Sequence, residues 1–351
     1  MKGFFGPASW ETRLRQLHID PDRISARDLE TINNYFRRNI KSDLQPQQTI
    51  AALKNLYENY ERIKNKTTLD EIVDSDSSLT AFSYAAKNGM DRFLIQAWSH
   101  SSEEVKEACL QHLSSFKNSA LHLAAIYGHL PVIRLLLQLK MTAIQANEAG
   151  KLPIMLSLQS HKQNNRKQCY QELLAASEPQ VYEQQDTSGE NIVFYLIRAQ
   201  MENESLEVLQ RNPSALGTFN KTGESLLHAA LLAGQKKIYQ TLLKNKALLA
   251  HKTINNQSIL HYAVASGNEE AVKAVLDCQP DWHEFINGQD KKQNTPLHMA
   301  AAQNHTGIIE LLLAKGARTD IRNERNKLAA DLAPRDSRDL LLNRTPGMGI
   351  H

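Results

Sequence analysis

The sequence predicts an all-α protein assembled from repeated pairs of short helices. Four segments of the 351-residue chain align without gaps, each with a histidine at its centre: SALHLAA, SLLHAAL, SILHYAV and TPLHMAA. Weaker copies lie between them, and the aligned positions are never closer than 33 residues; they are 83, 122, 155, 194, 228, 261, 298 and 331. This spacing indicates one two-helix unit per repeat, and such a unit needs its neighbours to bury its apolar surface.

Each repeat contains the signals of two helices joined by a short turn. A Ser or Thr such as Thr295 caps the first helix, and Pro296 suits the first helical position because that position needs no amide donor. A glycine such as Gly267 follows, where a left-handed residue ends the helix. Apolar runs such as 132–137 and 308–313 then predict a second helix that is covered on more than one side.

One of these segments resembles a known repeat. Residues 295–300 read Thr-Pro-Leu-His-Met-Ala, which matches the T-P-L-H-x-A core of the ankyrin repeat, a repeat with a period of 33. The resemblance covers residues 79–335 and is weakest at 151–212. It implies a solenoid of about seven to eight helix-turn-helix units, in which the motif histidines are structural hydrogen-bonding residues that link neighbouring units. These histidines are His122, His228, His261 and His298.

The ends of the chain are expected to differ from the repeats. Residues 1–78 lack the repeat and are predicted to form an N-terminal helical capping region that packs on the first unit. Thr68 and Glu71 have the spacing of a capping box and predict a helix start there. The repeats occupy 79–335, and residues 336–351 are predicted to be the end of a C-terminal cap followed by a flexible tail.

Three intervals exceed the period and predict insertions within 99–118, 160–170 and 278–293. The first is expected to hold an extra helical turn or short helix, and the second to form a solvated loop between two helices. Trp282 and Phe285 lie in the third insertion. We expect them to anchor a satellite core; the alternative is a knob that binds a partner.

The composition argues against several classes of protein. The chain has 41 Lys+Arg and 38 Asp+Glu, and a net charge of +3 without an obvious concentration gives no electrostatic footprint for nucleic acid. No stretch approaches the roughly 18 apolar residues of a membrane span, and the first residues are too polar for a signal peptide. Three dispersed cysteines without a CxxC indicate reduced thiols in a cytosol.

The remaining chemistry-bearing residues form no recognisable catalytic or metal-binding motif. Histidines outside the repeat consensus show no HxxxH or HExxH spacing, so we predict neither a metal nor a cofactor. Cys109 lies one helical turn from His112, and Cys278 precedes His283. Either pair resembles a thiolate and its base, but neither sits in a known local signature, and we predict no catalytic residue.

The surface of the repeats is the candidate for binding a partner protein. In ankyrin-like stacks the hairpin tips and the exposed side of the first helices line a concave face, and the resemblance assigns residues to that face by their offset from the motif. Tyr127 and Arg198 belong to the residue types enriched among interface hot spots. For any single position, ordinary solvated variation is the alternative. The candidates are Tyr127, Arg198, Lys221, Thr222, Glu224, Asn255, Lys291, Lys292 and Gln303.

The leading functional hypothesis is a non-enzymatic protein–protein interaction module, monomeric and cytoplasmic, that binds a partner protein through the concave face. The alternative is an adaptor or enzyme-recruiting protein whose activity resides in residues 1–78. The degenerate repeats, with 25 Asn and 24 Gln residues in the chain, resemble the ankyrin effectors that intracellular bacteria of the Legionella type inject through a type IV secretion system. That resemblance implies secretion into the host cell cytoplasm, a role in virulence and a host protein as the partner.

Overall fold

The computed structural model describes residues 69–177, 180–182, 184–278 and 283–342. These residues are mostly helical, and the helices follow one another in pairs. The chain divides into two compact units, Met1–Ser177 and Glu178–His351, which are described separately. The helices predicted within 1–68, Trp282 and the tail predicted at 343–351 lie outside the described residues.

The first unit has a short hairpin followed by helices that form two layers. The strands are β1 Ile72–Asp74 and β2 Leu79–Thr80. The helices are α1 Ala81–Asn88, α2 Asp91–Ser99, α3 Glu103–Gln111, α4 Ala120–Ile126, α5 Leu130–Gln138, α6 Pro153–Leu158 and α7 Gln163–Ser177. The first helices α1, α4 and α6 pack side by side, and the second helices α2, α5 and α7 form the other layer.

The second unit repeats this arrangement. Its helices are α8 Ile192–Arg198, α9 Glu202–Arg211, α10 Leu226–Leu232, α11 Lys236–Leu242, α12 Lys246–Leu249, α13 Ile259–Ala265, α14 Glu269–Asp277, α15 His283–Ile286, α16 Pro296–Ala302, α17 Thr306–Ala314, α18 Ala329–Leu332 and α19 Arg335–Leu342. Single 3₁₀ turns lie at Gln180–Tyr182 and Pro213–Gly217. The first helices α8, α10, α13, α16 and α18 pack in that order, and α9, α11, α14, α17 and α19 pack in parallel order beside them.

Residues 69–80 form a hairpin, so the helix start predicted from Thr68 and Glu71 is wrong. β1 and β2 form an antiparallel pair, and the carboxylate of Asp74, the last residue of β1, accepts the amide of Ser77 in the turn at 3.4 Å. Short polar side chains of this kind offer the backbone an alternative to helical hydrogen bonds. The β-branched residues before the turn favour the strand.

The insertion at 160–170 is not the loop that we predicted. α7 begins at Gln163 and continues for 15 residues, so the extra residues lengthen the second helix of that pair. The segment has no Gly or Pro to interrupt a helix. Cys169, Tyr170 and Leu173 are buried along it and supply the apolar anchor.

The other insertions contain short helices. Within 99–118, α3 confirms the predicted extra helix, and Ser102 caps it by accepting the Val105 amide at 3.4 Å. Within 278–293, α15 carries a half-buried Phe285 followed by the fully buried Ile286.

The first helix of each repeat is short and buried on nearly every side. In α16, Thr295 accepts the His298 amide at 3.4 Å, and Pro296 occupies the first turn. Leu297 is only 1% exposed. The equivalent leucines Leu121, Leu227 and Leu260 are fully buried. The leucine therefore fills the interior between adjacent helices, where apolar burial stabilises the stack.

The motif histidines form hydrogen bonds with the start of their own helix and with the turn of the following repeat. Nδ1 of each accepts the backbone amide of its capping residue, at 3.1 Å for His122 and 3.2 Å for His298. Nε2–H donates to a backbone carbonyl of the next turn, that of Lys151 for His122 and of Lys327 for His298, each at 3.1 Å. His261 donates in the same way to Asn294 at 3.2 Å.

His228 is the exception among the motif histidines. Its Nδ1 accepts the Ser225 amide at 3.3 Å, but its buried Nε2 has no hydrogen-bond partner of good geometry among the described residues. The Gln257 carbonyl lies close enough to favour the protonated ring, yet burial and neighbouring His251 together lower the pKa of His228 to about 4. Burial likewise lowers the pKa of His122 to about 4. The rings are therefore neutral at pH 7.

Two of the glycines that end first helices also make room for a histidine of the next repeat. Gly89 and Gly267 are left-handed, with φ of 72° and 69°. A Cβ on Gly89 would overlap the ring of His129, and one on Gly267 would lie 3.0 Å from His305 Cε1. His129 uses this space to donate from Nε2 to the Lys87 carbonyl at 3.0 Å. Glycine is thus required at Gly89 by both its backbone and its neighbour.

Replacing Leu297 with Ala should lower the free energy of unfolding by about 2–5 kcal/mol, because the substitution leaves a cavity between stacked helices. Leu232→Ala is the matched control, since Leu232 is 51% exposed on the equivalent helix α10 and should change stability by about 0.5 kcal/mol or less. Urea unfolding followed by circular dichroism measures both. Equal costs for the two variants would contradict the packing described for α16.

Gly89→Ala should cost more than the roughly 1–2 kcal/mol of a left-handed alanine, because the new methyl group also meets the His129 ring. In a His129→Ala background the same substitution should cost only the backbone part. A double-mutant cycle of unfolding free energies isolates the difference. Additive costs would show that the ring and the glycine do not interact.

The free energy of unfolding should fall as the pH falls from about 6.5 towards about 4. The pKa of His122 lies at about 4 in the folded protein against an ordinary value of 6.5, so the unfolded chain binds the extra proton across this range and folding loses stability. His122→Asn should flatten the dependence measured by urea titrations at several pH values. Leu121→Val, on the same helix, should lower stability equally at every pH; an unchanged slope in His122→Asn would refute the assignment.

Candidate functional site

The turn before each first helix is built around one polar residue. Asn220 Oδ1 accepts the amides of Thr222 at 3.1 Å and Glu224 at 2.9 Å, and Gly223 completes the turn with φ of 76°. Asp290 makes the same pair of bonds, to the amides of Lys292 and Asn294, each at 2.8 Å. Side chains that bond the backbone two residues ahead fix such turns locally.

This turn residue is not among the predicted site residues, although it has a clear signal in the sequence. A short polar residue stands eight positions before each aligned motif position, and it is Asn or Asp in five of the repeats. Those five are Asn147, Asp186, Asn220, Asp290 and Asn323, and each accepts two backbone amides.

Backbone hydrogen bonds join successive turns in the second unit. The amide of Lys221 donates to Ser188 O at 2.7 Å, and that of Ile254 donates to Thr222 O at 2.9 Å. The Lys291 and Glu324 amides continue the series, to Asn255 O at 2.8 Å and to Lys292 O at 3.1 Å. We call the two residues at each turn the tip row: 187–188, 221–222, 254–255, 291–292 and 324–325. The row is a fixed frame whose side chains face solvent.

The first unit has the same connections. Ser115 N donates to Ser77 O at 3.2 Å, and Glu148 N donates to Phe116 O at 3.1 Å. Phe116 is 63% exposed at its turn.

Most of the predicted binding residues of the second unit lie in or beside the tip row. Lys221, Thr222, Asn255, Lys291 and Lys292 are in the row and exposed. Gln303 is exposed just past α16, and Glu224 is half-buried two residues after its tip. The tip row also contains Ile254 and Arg325, which are not among the predicted candidates although they occupy equivalent turn positions.

Arg198 is held by carboxylates instead of standing free. Its Nη2 donates to Glu190 Oε1 at 2.6 Å, its Nη1 donates to Glu190 Oε2, and Glu224 Oε2 lies 3.8 Å from Nη2. The hydrogen bonds to Glu190 raise the pKa of Arg198, so its charge is permanent. The guanidinium lies 5.9 Å from the centre of the Phe194 ring. About half of the Arg198 side chain, 48%, remains exposed.

Asn220 and Tyr262 extend this network across three repeats. Asn220 Nδ2 donates to Glu190 Oε1 at 3.1 Å and to Glu224 Oε2 at 2.8 Å. The Tyr262 hydroxyl donates to Glu224 Oε1 at 2.6 Å, and burial together with this bond raises the pKa of Tyr262. The network therefore links three elements: helix α8, the turn that precedes α10, and helix α13. In each of its hydrogen bonds at least one partner is charged.

Tyr127 lies in the first unit and has a different environment. Its ring is 42% exposed and stacks on His129 with centroids 6.4 Å apart. Lys87 Nζ lies 6.0 Å from the ring centre, within the range of a weak cation–π contact. The four motif histidines, in contrast, are buried in the interiors of their units and do not line this surface.

The described residues also bear on a metal site, a membrane span and the Cys109–His112 pair. No group of three His, Cys, Asp or Glu among them is placed to hold a metal ion, and none of their helices has the length and apolarity to cross a bilayer. Cys109 is fully buried, and burial raises the pKa of its thiol to about 12, which disfavours the thiolate a nucleophile needs. His112 donates instead to Ser78 O at 2.8 Å.

Comparison with known proteins agrees with this geometry. A family model described as ankyrin repeats in three copies matches residues 82–182 and 245–323, which together are just over half of the chain. The match leaves out 183–244, where the structure nevertheless has the same paired helices α8 to α11.

Similar curated proteins come from several animals. One is a transient receptor potential cation channel subfamily A member 1 homolog of Caenorhabditis elegans. The chain is 28% identical to it over 137 residues, and the match covers 37% of this chain and 11% of the relative. The chain is 35% identical over 91 residues, 22% of this chain and 14% of the relative, to protein fem-1 homolog C of Xenopus laevis. It is 37% identical over 82 residues, 23% of this chain and 51% of the relative, to protein phosphatase 1 regulatory subunit 27 of Mus musculus.

The matched segments thus span between about a tenth and a half of these relatives. The repeat spacing, the paired helices and the family match lead to one conclusion. The chain belongs to the ankyrin-repeat family.

Proposed function

We propose that this protein is a non-enzymatic interaction module that binds a partner protein through the tip row and the adjoining ends of the first helices, the concave face expected of its family. The main support for this proposal is that hydrogen bonds between successive turns fix the backbone of the tip row, while its side chains are exposed. Such a surface binds without ordering its own backbone, which reduces the entropic cost of association. A relative that is named as a regulatory subunit of a phosphatase supports a binding role.

Arg198 and Tyr127 are the proposed anchors, one in each unit. Arg198 is orientated by Glu190 and keeps an exposed part, so its position is set before a partner arrives. Tyr127 presents an exposed ring that is steadied by His129. The proposal extends to the predicted candidates Lys221, Thr222, Glu224, Asn255, Lys291, Lys292 and Gln303.

The wider organisation and biology are part of the same proposal. We infer about seven to eight repeat units within 79–335, a cap formed by residues 1–78 and a C-terminal cap end with a tail at 336–351. The protein acts as a monomer in the cytoplasm. A role as a type IV secreted effector that engages a host protein rests on the sequence alone, through its degenerate repeats and its 25 Asn and 24 Gln residues.

An affinity capture from cell lysate tests the binding role. Proteins retained by the wild-type chain should be lost, at least about tenfold, by the Tyr127→Ala/Arg198→Ala variant because hot-spot residues dominate binding energy. The control is Arg211→Ala, which removes an exposed arginine that pairs with Glu207 on the second helix α9. Circular dichroism checks that each variant is folded. Retention of the same proteins by both variants would refute the proposed surface.

A further inference from the structure

The tip row of the second unit carries an excess of positive charge. Exposed cations lie within it or within three residues of it: Lys221, Lys252, Lys291, Lys292, Arg322, Arg325 and Lys327. None of them forms an ion pair with another described residue; Arg322 donates from Nη1 only to the Asn326 carbonyl, at 2.9 Å. The even charge balance of the whole chain therefore conceals a local concentration.

Three lysines on or beside the second helices of the same unit pair with a carboxylate of a neighbouring repeat. Lys236 Nζ lies 2.9 Å from Glu270 of the following repeat, and Lys237 Nζ lies 3.3 Å from Glu202 of the preceding one. Across the next interval, Lys315 Nζ lies 3.2 Å from an Asp277 carboxylate. These three lysines are thus neutralised from repeat to repeat, whereas the cations of the tip row are not.

Five carboxylates lie in the tip row or within three residues of it, against seven cations. One of them, Asp186, accepts the Ser188 and Glu190 amides and the Tyr195 hydroxyl. Glu324 is exposed in the row beside Arg325. Asp290 bonds two backbone amides through Oδ1, so part of its charge is engaged by the turn. Glu190 and Glu224 are engaged by Arg198, Asn220 and Tyr262. The seven exposed cations therefore outnumber the five carboxylates, four of which are already hydrogen-bonded, and this excess favours an anionic ligand.

An apolar side chain interrupts the cations near the middle of the row. Ile254 is 54% exposed, and its backbone lies between the tips that carry Lys221 and Lys291, as the hydrogen bonds to Thr222 O and from Lys291 N to Asn255 O establish. The exposed amides of Asn255 and Asn256 adjoin it. A ligand that follows the row meets positive charge, then an apolar contact, then positive charge again.

We propose that the tip row binds an extended acidic segment of a partner protein, in which Asp or Glu side chains flank an apolar residue that contacts Ile254. This inference rests on the proposed function and specifies the chemistry of the partner. Complementary charge speeds the encounter and fixes the register of the segment. The apolar residue adds a contact that depends on burial instead of charge.

A protein segment fits the row better than a nucleic acid does. Single-stranded nucleic acids bind through aromatic side chains on which the bases stack, interleaved with cations. No residue of the tip row is aromatic. The nearby Phe219 is 39% exposed and contacts the His251 ring, with ring centroids 4.0 Å apart.

Fluorescence anisotropy of the full chain with defined probes tests the proposal. The main probe is a fluorescein-labelled peptide of sequence Glu-Asp-Glu-Leu-Glu-Asp-Glu; the others replace its Leu with Ser, replace its acids with Lys, or are a single-stranded oligothymidylate of similar length. Lys291→Gln/Lys292→Gln should weaken binding of the main probe at least about tenfold. Lys236→Gln/Lys237→Gln is the matched control, because it removes equal charge from α11, and it should change the affinity by about twofold or less.

The apolar contact has its own measurement. The wild-type chain should prefer the Leu peptide to the Ser peptide, and Ile254→Ser should abolish that preference without removing the response to added salt. Equal losses in the two lysine variants, equal binding of the basic peptide, or failure of the acidic peptide to bind would overturn the proposal. An oligothymidylate that binds as tightly as the acidic peptide would replace it with a nucleic-acid site.

These outcomes are separable from those of the capture experiment. The acidic peptide could fail to bind while the Tyr127→Ala/Arg198→Ala variant still loses the captured proteins. That result would support the interaction role and overturn only the preference for acidic segments. If that variant retains the same proteins as the wild-type chain, the proposed binding surface is refuted, whether or not the peptide binds.

Discussion

The structure depends on apolar surface that one helix pair cannot bury alone. In α13 the buried residues include Ile259, Leu260, Ala263 and Val264, so apolar groups face more than one side of a helix of 7 residues. Each unit solves this by placing first helices side by side, with second helices as the outer layer. The free energy of folding is therefore shared across the interfaces of neighbouring repeats, as in other one-dimensional stacks.

Close stacking buries backbone polar groups, and the polar residues of the repeat satisfy them. His122 joins its own helix start to the carbonyl of Lys151 in the following turn, and Asn147 in that turn accepts two amides. Gln235 occupies the position that His129 and His305 hold in their repeats and donates to Ile197 O at 2.6 Å. The same connections that compensate burial also position the turns, and the turns present the side chains of the proposed binding surface.

The sequence predicts the local features well because each is encoded within one repeat. The glycines at Gly89 and Gly267 and the caps at Ser119 and Thr295 follow from backbone geometry and are seen in the structure. The loop predicted at 160–170 is wrong because periodicity shows that residues are added without showing which element receives them. α7 absorbs them because Tyr170 and Leu173 anchor a longer helix.

Relations between repeats are harder to predict from sequence. Arg198 was selected as a hot-spot residue, but its pairing with Glu190 and the bridge through Asn220 to Glu224 depend on how turns and helices meet in space. The charge of the tip row was hidden for the same reason: Lys252, Lys291 and Arg325 are far apart in the chain, and whole-chain arithmetic averages them with the paired lysines of the second helices.

The tip-row residues of successive turns bond to one another through main-chain atoms, so these bonds do not depend on which side chains the row carries. Lys221 and Lys291 are cationic, Ile254 is apolar and Glu324 is anionic, yet each donates its backbone amide to the preceding turn. Exchange of these side chains leaves the hydrogen bonds intact. Evolution can therefore rewrite the partner preference of such a chain one repeat at a time, by substitutions that are close to neutral for folding.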